Sequence, residues 1–404
     1  MQWLYKLRLE VMSPLAQERS RDSLGALVLQ LHMRGGIASR AELTEVLGCG
    51  RSAMGYLLGE LTSRGLISID PTGGPAPSTD GGRPSHAVLV ADGAPTVVAA
   101  QLSAESVAVA RVGLGGKVHA RVERSLRTRD TTDALDMLSE LITEFAGPGV
   151  LGVGLAVPSP VRRTDGFAAA ALHLGWRGVP LRELLLERLG MPLALGNDAN
   201  LAAMAEYRHG AGKGAEQLLY LMTGHVGLGG AVVSEGRLFL GARGYAIEPG
   251  HITVDPAGAS CPCGSTGCLE VEADHRGLLR AAGRGDHPLH EVPAAVEEVL
   301  AAAVAGDARC GAAVEQATRH LGSGLASLLN LTDADRIVLG GTLGRLYDLR
   351  PRIVDEGVAS RSFLTEVGEI PVVPGALPDS VLLGAAELAL QPLLEDPKRV
   401  LDRE

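Results

Sequence analysis

The strongest constraint on this chain is a run of three cysteines, Cys261, Cys263 and Cys268, in a C-x-C-x4-C spacing with Gly264 and Gly267 between them. The glycines let the backbone fold back until three sulfurs can face one point. Tetrahedral zinc in a closed structural site takes four Cys or His ligands. His251 is the nearest candidate for the fourth, so His251, Cys261, Cys263 and Cys268 form the expected metal set. The chain has only 5 cysteines, and the remaining two, Cys49 and Cys310, are isolated. This pattern argues against a disulfide framework and for a reducing cytoplasm.

The same stretch carries Glu248 and Glu270. A metal-bound imidazole is neutral and keeps one N–H to donate outward. Carboxylates beside it would accept hydrogen bonds from the hydroxyls of a sugar. The competing reading is a plain zinc staple with two solvated glutamates. Glu248-Pro249-Gly250-His251 and Cys261-Pro-Cys-Gly-Ser-Thr-Gly-Cys268-Leu-Glu270 resemble the ROK family of repressors, open reading frames and kinases. The resemblance covers nearly the whole chain. It implies that the histidine and three cysteines hold structural zinc and that Glu248, His251 and Glu270 contact a sugar.

A length of 404 residues suggests two or three domains. Apolar content of 46% with only 3% aromatic residues calls for an α/β core built on aliphatics. The net charge of −10 excludes a generic polyanion binder. The balance is local, however: residues 1–90 hold nine Lys/Arg against eight Asp/Glu, so a modest DNA-reading module there remains open. No segment approaches a run of ~18 apolar residues, so neither a membrane span nor secretion is expected.

Residues 1–90 are expected to form a winged helix-turn-helix. Leu24, Leu27, Val28 and Leu31 give one helical face before Gly35-Gly36. Ser39 with Glu42 predicts a capping box at the start of a short second helix. Gly48-Cys49-Gly50 turns into a third helix from Arg51, with Met54, Leu57, Leu58 and Leu61 inward and Arg51, Ser52 and Tyr56 outward. Strands near residues 66–69 and 87–90 flank a Pro/Gly/Ser-rich wing. In such modules the second helix of the pair enters the major groove of double-stranded DNA. Arg40, Arg51, Ser52, Tyr56 and Arg83 are the candidate operator contacts. A small helical oligomerisation domain is the competing reading. In ROK repressors a winged helix occupies this place, with a Gly-Arg-Pro at the wing end, here Gly82-Arg83-Pro84.

Residues 91–404 are expected to form a two-lobed actin-like, sugar-kinase-type (ROK) domain that binds an effector and oligomerises as a homodimer or homotetramer. In the related kinases a first hairpin carries Asp-x-Gly-Gly-Thr, whose glycines approach ATP phosphates. Here the matching residues are Gln101-Leu102-Ser103-Ala104-Glu105, without the Asp, the glycines or the Thr. Gly196-Asn197-Asp198-Ala199-Asn200 closes a strand and opens a helix. At that strand end Asn197 would orient a sugar and Asp198 would bond its hydroxyl; a helix N-cap is the competing use. Asn197, Asp198, Glu248, His251 and Glu270 are thus the candidate sugar residues. The resemblance implies a sugar-responsive transcription regulator, most simply a repressor, that has lost its ATP loop and is no enzyme. The alternative is an active sugar kinase that also binds DNA.

Overall fold

The computed structural model describes residues 23–71, 86–171, 174–224, 227–285 and 287–402. The first unit opens with helix α1 (Ser23–Met33), followed by strand β1 (Ile37–Ser39), α2 (Arg40–Val46) and α3 (Arg51–Ser63). The capping box forms as expected. Ser39 Oγ accepts the Glu42 N–H at 3.1 Å, and Glu42 Oε2 accepts the Ser39 N–H at 2.7 Å. Strands β2 (Ile67–Asp70) and β3 (Ala87–Val90) pair antiparallel. The sequence pattern predicts two strands here, and the structure has three, because Ile37–Ser39 adds to the far edge of β3. Three residues are too few to carry a visible alternation. Arg83, one of the expected DNA contacts, lies outside the described residues.

Two further sheets follow. The first contains β4 (Thr96–Leu102), β5 (Ser106–Gly113), β6 (Val118–Ser125), β7 (Val150–Val157) and β10 (Leu193–Asn197), in the order β10-β7-β4-β5-β6. The second contains β11 (Gln217–Thr223), β12 (Leu228–Ser234), β13 (Arg237–Leu238), β14 (Arg336–Gly340) and β15 (Val372–Pro374), in the order β13-β12-β11-β14-β15. The two orders are the same topology: a three-strand antiparallel meander, with the fourth and fifth strands added parallel to the first. The domain is therefore two lobes built to one plan. Strand β7 is a run of Val, Leu, Ala and Gly, and β4 is nearly so apart from Thr96 and Gln101, because helices cover both faces of their sheet. A small hairpin, β8 (Ala168–Ala171) with β9 (Trp176–Val179), extends the first lobe.

Four helices matter below: α4 (Asp198–His209), α5 (Leu269–Ala273), α6 (Ala308–Thr332) and α7 (Ser380–Glu395). One continuous apolar core joins the N-terminal unit to both lobes, reaching Tyr220 and Val233 of the second sheet. It contains Leu27, Val28, Leu31, Met54 and Leu58 from that unit together with Leu201, Leu382 and Leu390. The N-terminal unit is thus packed into the rest of the chain and not tethered to it.

Candidate functional site

The carboxyl ends of β7 and β10 lie side by side, with Asn197 paired to Val157. Open α/β sheets place ligands beyond such ends. The turn after β7 presents Pro158 and Ser159, and the step from β10 into α4 presents Asn197 and Asp198. From the second lobe come Gly227 and Gly229 at the β11–β12 turn, then Tyr245, Glu248, His251 and Glu270. Together they line a cavity of about 370 Å³. That lies within the ~300–1,000 Å³ span of small-molecule sites. All five candidate sugar residues line this one cavity.

Asn197 lines the cavity and is also the N-cap of α4. Its Oδ1 caps α4 by accepting the Asn200 N–H at 3.0 Å, and its Nδ2 donates to Asp198 Oδ1 at 3.0 Å. Asp198 Oδ1 also accepts the Ala199 N–H at 2.8 Å. Burial pushes the Asp198 carboxyl up to about 6 against these hydrogen bonds. Burial, then the charges of Asp198 and Glu270, push Glu248 up to about 7. Glu248 keeps solvent access at the rim, which screens part of that effect. Glu270 is deeply buried and accepts the Leu228 N–H at 3.3 Å. Burial and Asp274 raise its carboxyl, opposed by His251 and Arg276. Three carboxylates thus face one polar cleft, an arrangement suited to a neutral, hydroxyl-rich ligand.

His251 forms the shared wall with a second cluster. Its Nδ1 lies 3.8 Å from Cys261 Sγ, and Cys263 Sγ lies 3.7 Å from Cys268 Sγ. All four donor atoms fall within 4.8 Å of one another. Tetrahedral zinc with sulfur at ~2.3 Å spaces neighbouring donors roughly 3.8 Å apart. The donor set therefore fits that ion in number, type and spacing. Local folding explains the fit. The Gly264 N–H donates to the Cys261 carbonyl at 2.9 Å and the Cys261 N–H to the Ser265 carbonyl at 2.8 Å, which curls the loop. Gly267 has φ of 65°, and a Cβ there would sit 1.4 Å from the Asp255 carbonyl oxygen, so only glycine fits.

The β4–β5 turn, where related kinases would hold phosphate, is closed upon itself. Ser103 Oγ accepts the N–H groups of Ser106 at 3.0 Å and Glu105 at 3.3 Å. Those amides are committed within the turn. One carboxylate oxygen of Glu105 is buried without a hydrogen-bond partner.

Four of the five expected DNA residues lie in described structure: Arg40 at the start of α2, and Arg51, Ser52 and Tyr56 in the first half of α3. Arg51, Ser52 and Tyr56 are exposed, Tyr56 by 70%. Arg40 is half-buried, and its Nη2 donates to the Arg51 carbonyl at 3.0 Å, bracing the two helices. Sequence reasoning passed over Ser159, Tyr245 and Asp274. Ser159 follows a strand end and was findable by that rule. Tyr245 lies in an aperiodic loop that gives no signal. Asp274 caps the next helix through the Gly277 N–H at 2.8 Å and accepts the Gly227 N–H at 3.4 Å, holding the pocket's turn from behind.

Two similar lobes clasping a carboxylate-lined cleft define an α/β fold of the sugar-kinase-like class. A model of the ROK family matches residues 98–392, and the chain belongs to that family. It is similar to a glucokinase of Halalkalibacterium halodurans, 36% identical over 54% of this chain and 70% of that one. It is also similar to a xylose repressor of Caldicellulosiruptor bescii, 25% identical over 92% of this chain and 96% of that one. A crystal structure of a ROK family transcriptional regulator, a homolog of the E. coli MLC protein, superposes with a TM-score of 0.74 at 23% identity. It covers 94% of this chain and 98% of that one, and so shares the fold. Among the described residues no helix is long and apolar enough to cross a membrane.

Proposed function

We propose that this protein is a sugar-responsive transcription repressor whose kinase-like domain binds its effector without phosphorylating it. One observation carries the reading: similarity to a repressor extends over 92% of the chain, including the N-terminal unit, whereas similarity to a glucokinase covers 54%. Residues 1–90 are then a winged helix-turn-helix, with α3 as the helix that reads the major groove. Residues 91–404 are the effector-binding and oligomerisation domain. Asn197, Asp198, Glu248, His251 and Glu270 hold the sugar. His251, Cys261, Cys263 and Cys268 hold structural zinc, which braces the wall carrying Glu248 and Glu270. The chain acts as a homodimer or homotetramer in the cytoplasm, since a two-fold operator calls for a two-fold protein.

The closed Ser103 turn supports the loss of phosphoryl transfer. Its amides are already bonded, and Glu105 adds negative charge where a phosphate would need donors. An assay coupling ADP release to NADH oxidation, run with glucose, xylose and N-acetylglucosamine, should stay at the no-enzyme rate. Turnover near the ~1–100 s⁻¹ of working kinases would return the chain to the kinase class. For the DNA arm, a duplex selected by the protein from a random library should lose about ten-fold or more in affinity with Arg51→Ala. Unchanged binding would remove α3 from the groove.

A further inference from the structure

Besides the cysteine cluster, the described residues contain one other group of three His, Cys, Asp or Glu side chains whose ligand atoms lie within 4.8 Å of one another: His32, His209 and Glu387. It lies where the N-terminal unit meets the first lobe. Glu387 on α7 is 3% exposed and is the common acceptor. His32 on α1 reaches its Oε1 from Nε2 at 2.6 Å. His209, the last residue of α4, reaches the same oxygen from Nε2 at 2.7 Å. Arg208 pairs with the other carboxylate oxygen.

The protonation state follows from a fourth contact. The Gly115 N–H donates to His32 Nδ1 at 2.8 Å, which leaves the proton of a neutral ring on Nε2. His32 therefore donates to Glu387, and His209 donates beside it. The Nε2 atoms of the two rings, 3.2 Å apart, are held together by their shared acceptor. A metal ion would need the His32 Nε2 lone pair that this tautomer lacks, so the grouping is a hydrogen-bonded junction although its spacing suits an ion.

The position of the junction gives it meaning. Helix α4 begins at Asn197-Asp198 in the pocket and ends at Arg208-His209 against Glu387, a span of ~18 Å at 1.5 Å per residue. It is clamped to α7 so closely that a Cβ on Gly384 would sit 1.9 Å from the Leu201 carbonyl oxygen. On the other side, a Cβ on Gly115 would sit 2.5 Å from the Gly36 nitrogen, in the turn that ends α1. One rigid helix thus touches the effector site at its first residue and the N-terminal unit at its last.

We infer that His32, His209 and Glu387 form the relay through which sugar occupancy sets the posture of the DNA-binding unit. The inference rests on the sugar-responsive reading above. Closing the lobes on a sugar displaces the start of α4, and the helix carries that displacement to the acceptor shared with α1. Coupling between sites requires an element with two arrangements that both sites bias. Here that element is α4 with its terminal hydrogen bonds, and the three side chains position α1 without touching ligand or DNA.

The test uses the full-length protein, the library-selected duplex, and glucose, xylose and N-acetylglucosamine as probes. Three variants cut the relay at separate points: His32→Asn, which keeps an acceptor for the Gly115 N–H, His209→Asn and Glu387→Gln. For each, sugar affinity by calorimetry, DNA affinity without sugar and the thermal midpoint accompany the main readout. That readout is the ratio of DNA Kd with and without the effective sugar. Sugar affinity and sugar-free DNA affinity should stay within about three-fold of the parent. The ratio should move at least about five-fold toward one, since typical couplings span that range and more. Variants that fold, bind sugar and keep the parent's ratio would overturn the relay and leave the sugar-responsive reading standing. A parent protein whose DNA affinity no sugar alters would overturn both.

Discussion

Replacing Cys268 with Ser is expected to empty the metal site and dismantle the sugar wall with it. Zinc by mass spectrometry should fall from one per chain to below about 0.1, because structural zinc binding is coupled to folding at apparent values of ~10–16 kcal/mol in small zinc domains. Cys268 is fully buried, and the residue after it opens α5, which carries Glu270 into the pocket. A bridge between Thr253 and Cys268 joins that helix to the strip that follows His251. Without the ion, the two remaining thiols, Cys261 and Cys263, and the His251 imidazole lose their common centre, and Glu270 loses its fixed direction. Sugar affinity should then drop by about 100-fold or more in calorimetry. Cys310→Ser is the control: that thiol is buried in α6, outside the cluster, and zinc should be unchanged. Full zinc content in Cys268→Ser would show that the ligands are misassigned.

Asp198→Asn should weaken sugar binding by about 10- to 100-fold while leaving zinc in place. The change keeps the shape at the start of α4 but replaces a charged acceptor, and hydrogen bonds to charged groups contribute ~1.5–3 kcal/mol. Its pH signature separates it from a fold defect. Burial holds the Asp198 pKa at about 6, above its ordinary value of 3.8. The neutral form therefore predominates in the empty protein below about pH 6 and the carboxylate above it. The associated stability is fully present below the unfolded pKa and is lost as pH rises through about 6. A sugar hydroxyl donating to the carboxylate favours the ionised form instead, so parent affinity should rise from pH 5 to pH 7. Glu248, raised to about 7, acts in the same direction. In Asp198→Asn the part of both slopes due to Asp198 vanishes, and flat parent profiles would contradict this assignment.

Much of this was legible in the sequence because the responsible physics is local. Three cysteines spaced by glycines announce their own loop, and the Ser39–Glu42 box and the helix after Asn197 follow from capping chemistry. The same locality located the five pocket residues, which cluster at a strand end and around the cysteine loop. The identical strand order of the two lobes was invisible, because it lives in pairings between strands far apart in the chain, such as β4 with β7 and β11 with β14. Strands β1, β8 and β9 were too short to show alternation. The His32–Glu387 contact joins residues separated by 355 positions, and no single-sequence pattern reports such a pair. Asp274 gave no signal in the sequence, and only the fold reveals that it caps a helix and steadies Gly227.

The central claim is that occupancy of a sugar pocket controls DNA binding without phosphoryl transfer. Fluorescence anisotropy of the selected duplex, titrated with protein at several fixed sugar concentrations and no nucleotide, measures this directly. At least one sugar should shift the DNA Kd by about five-fold or more, saturating at the concentration where calorimetry shows the pocket filled. A DNA Kd that stays constant through pocket saturation, or one that changes only when ATP is added with the sugar, would contradict the account.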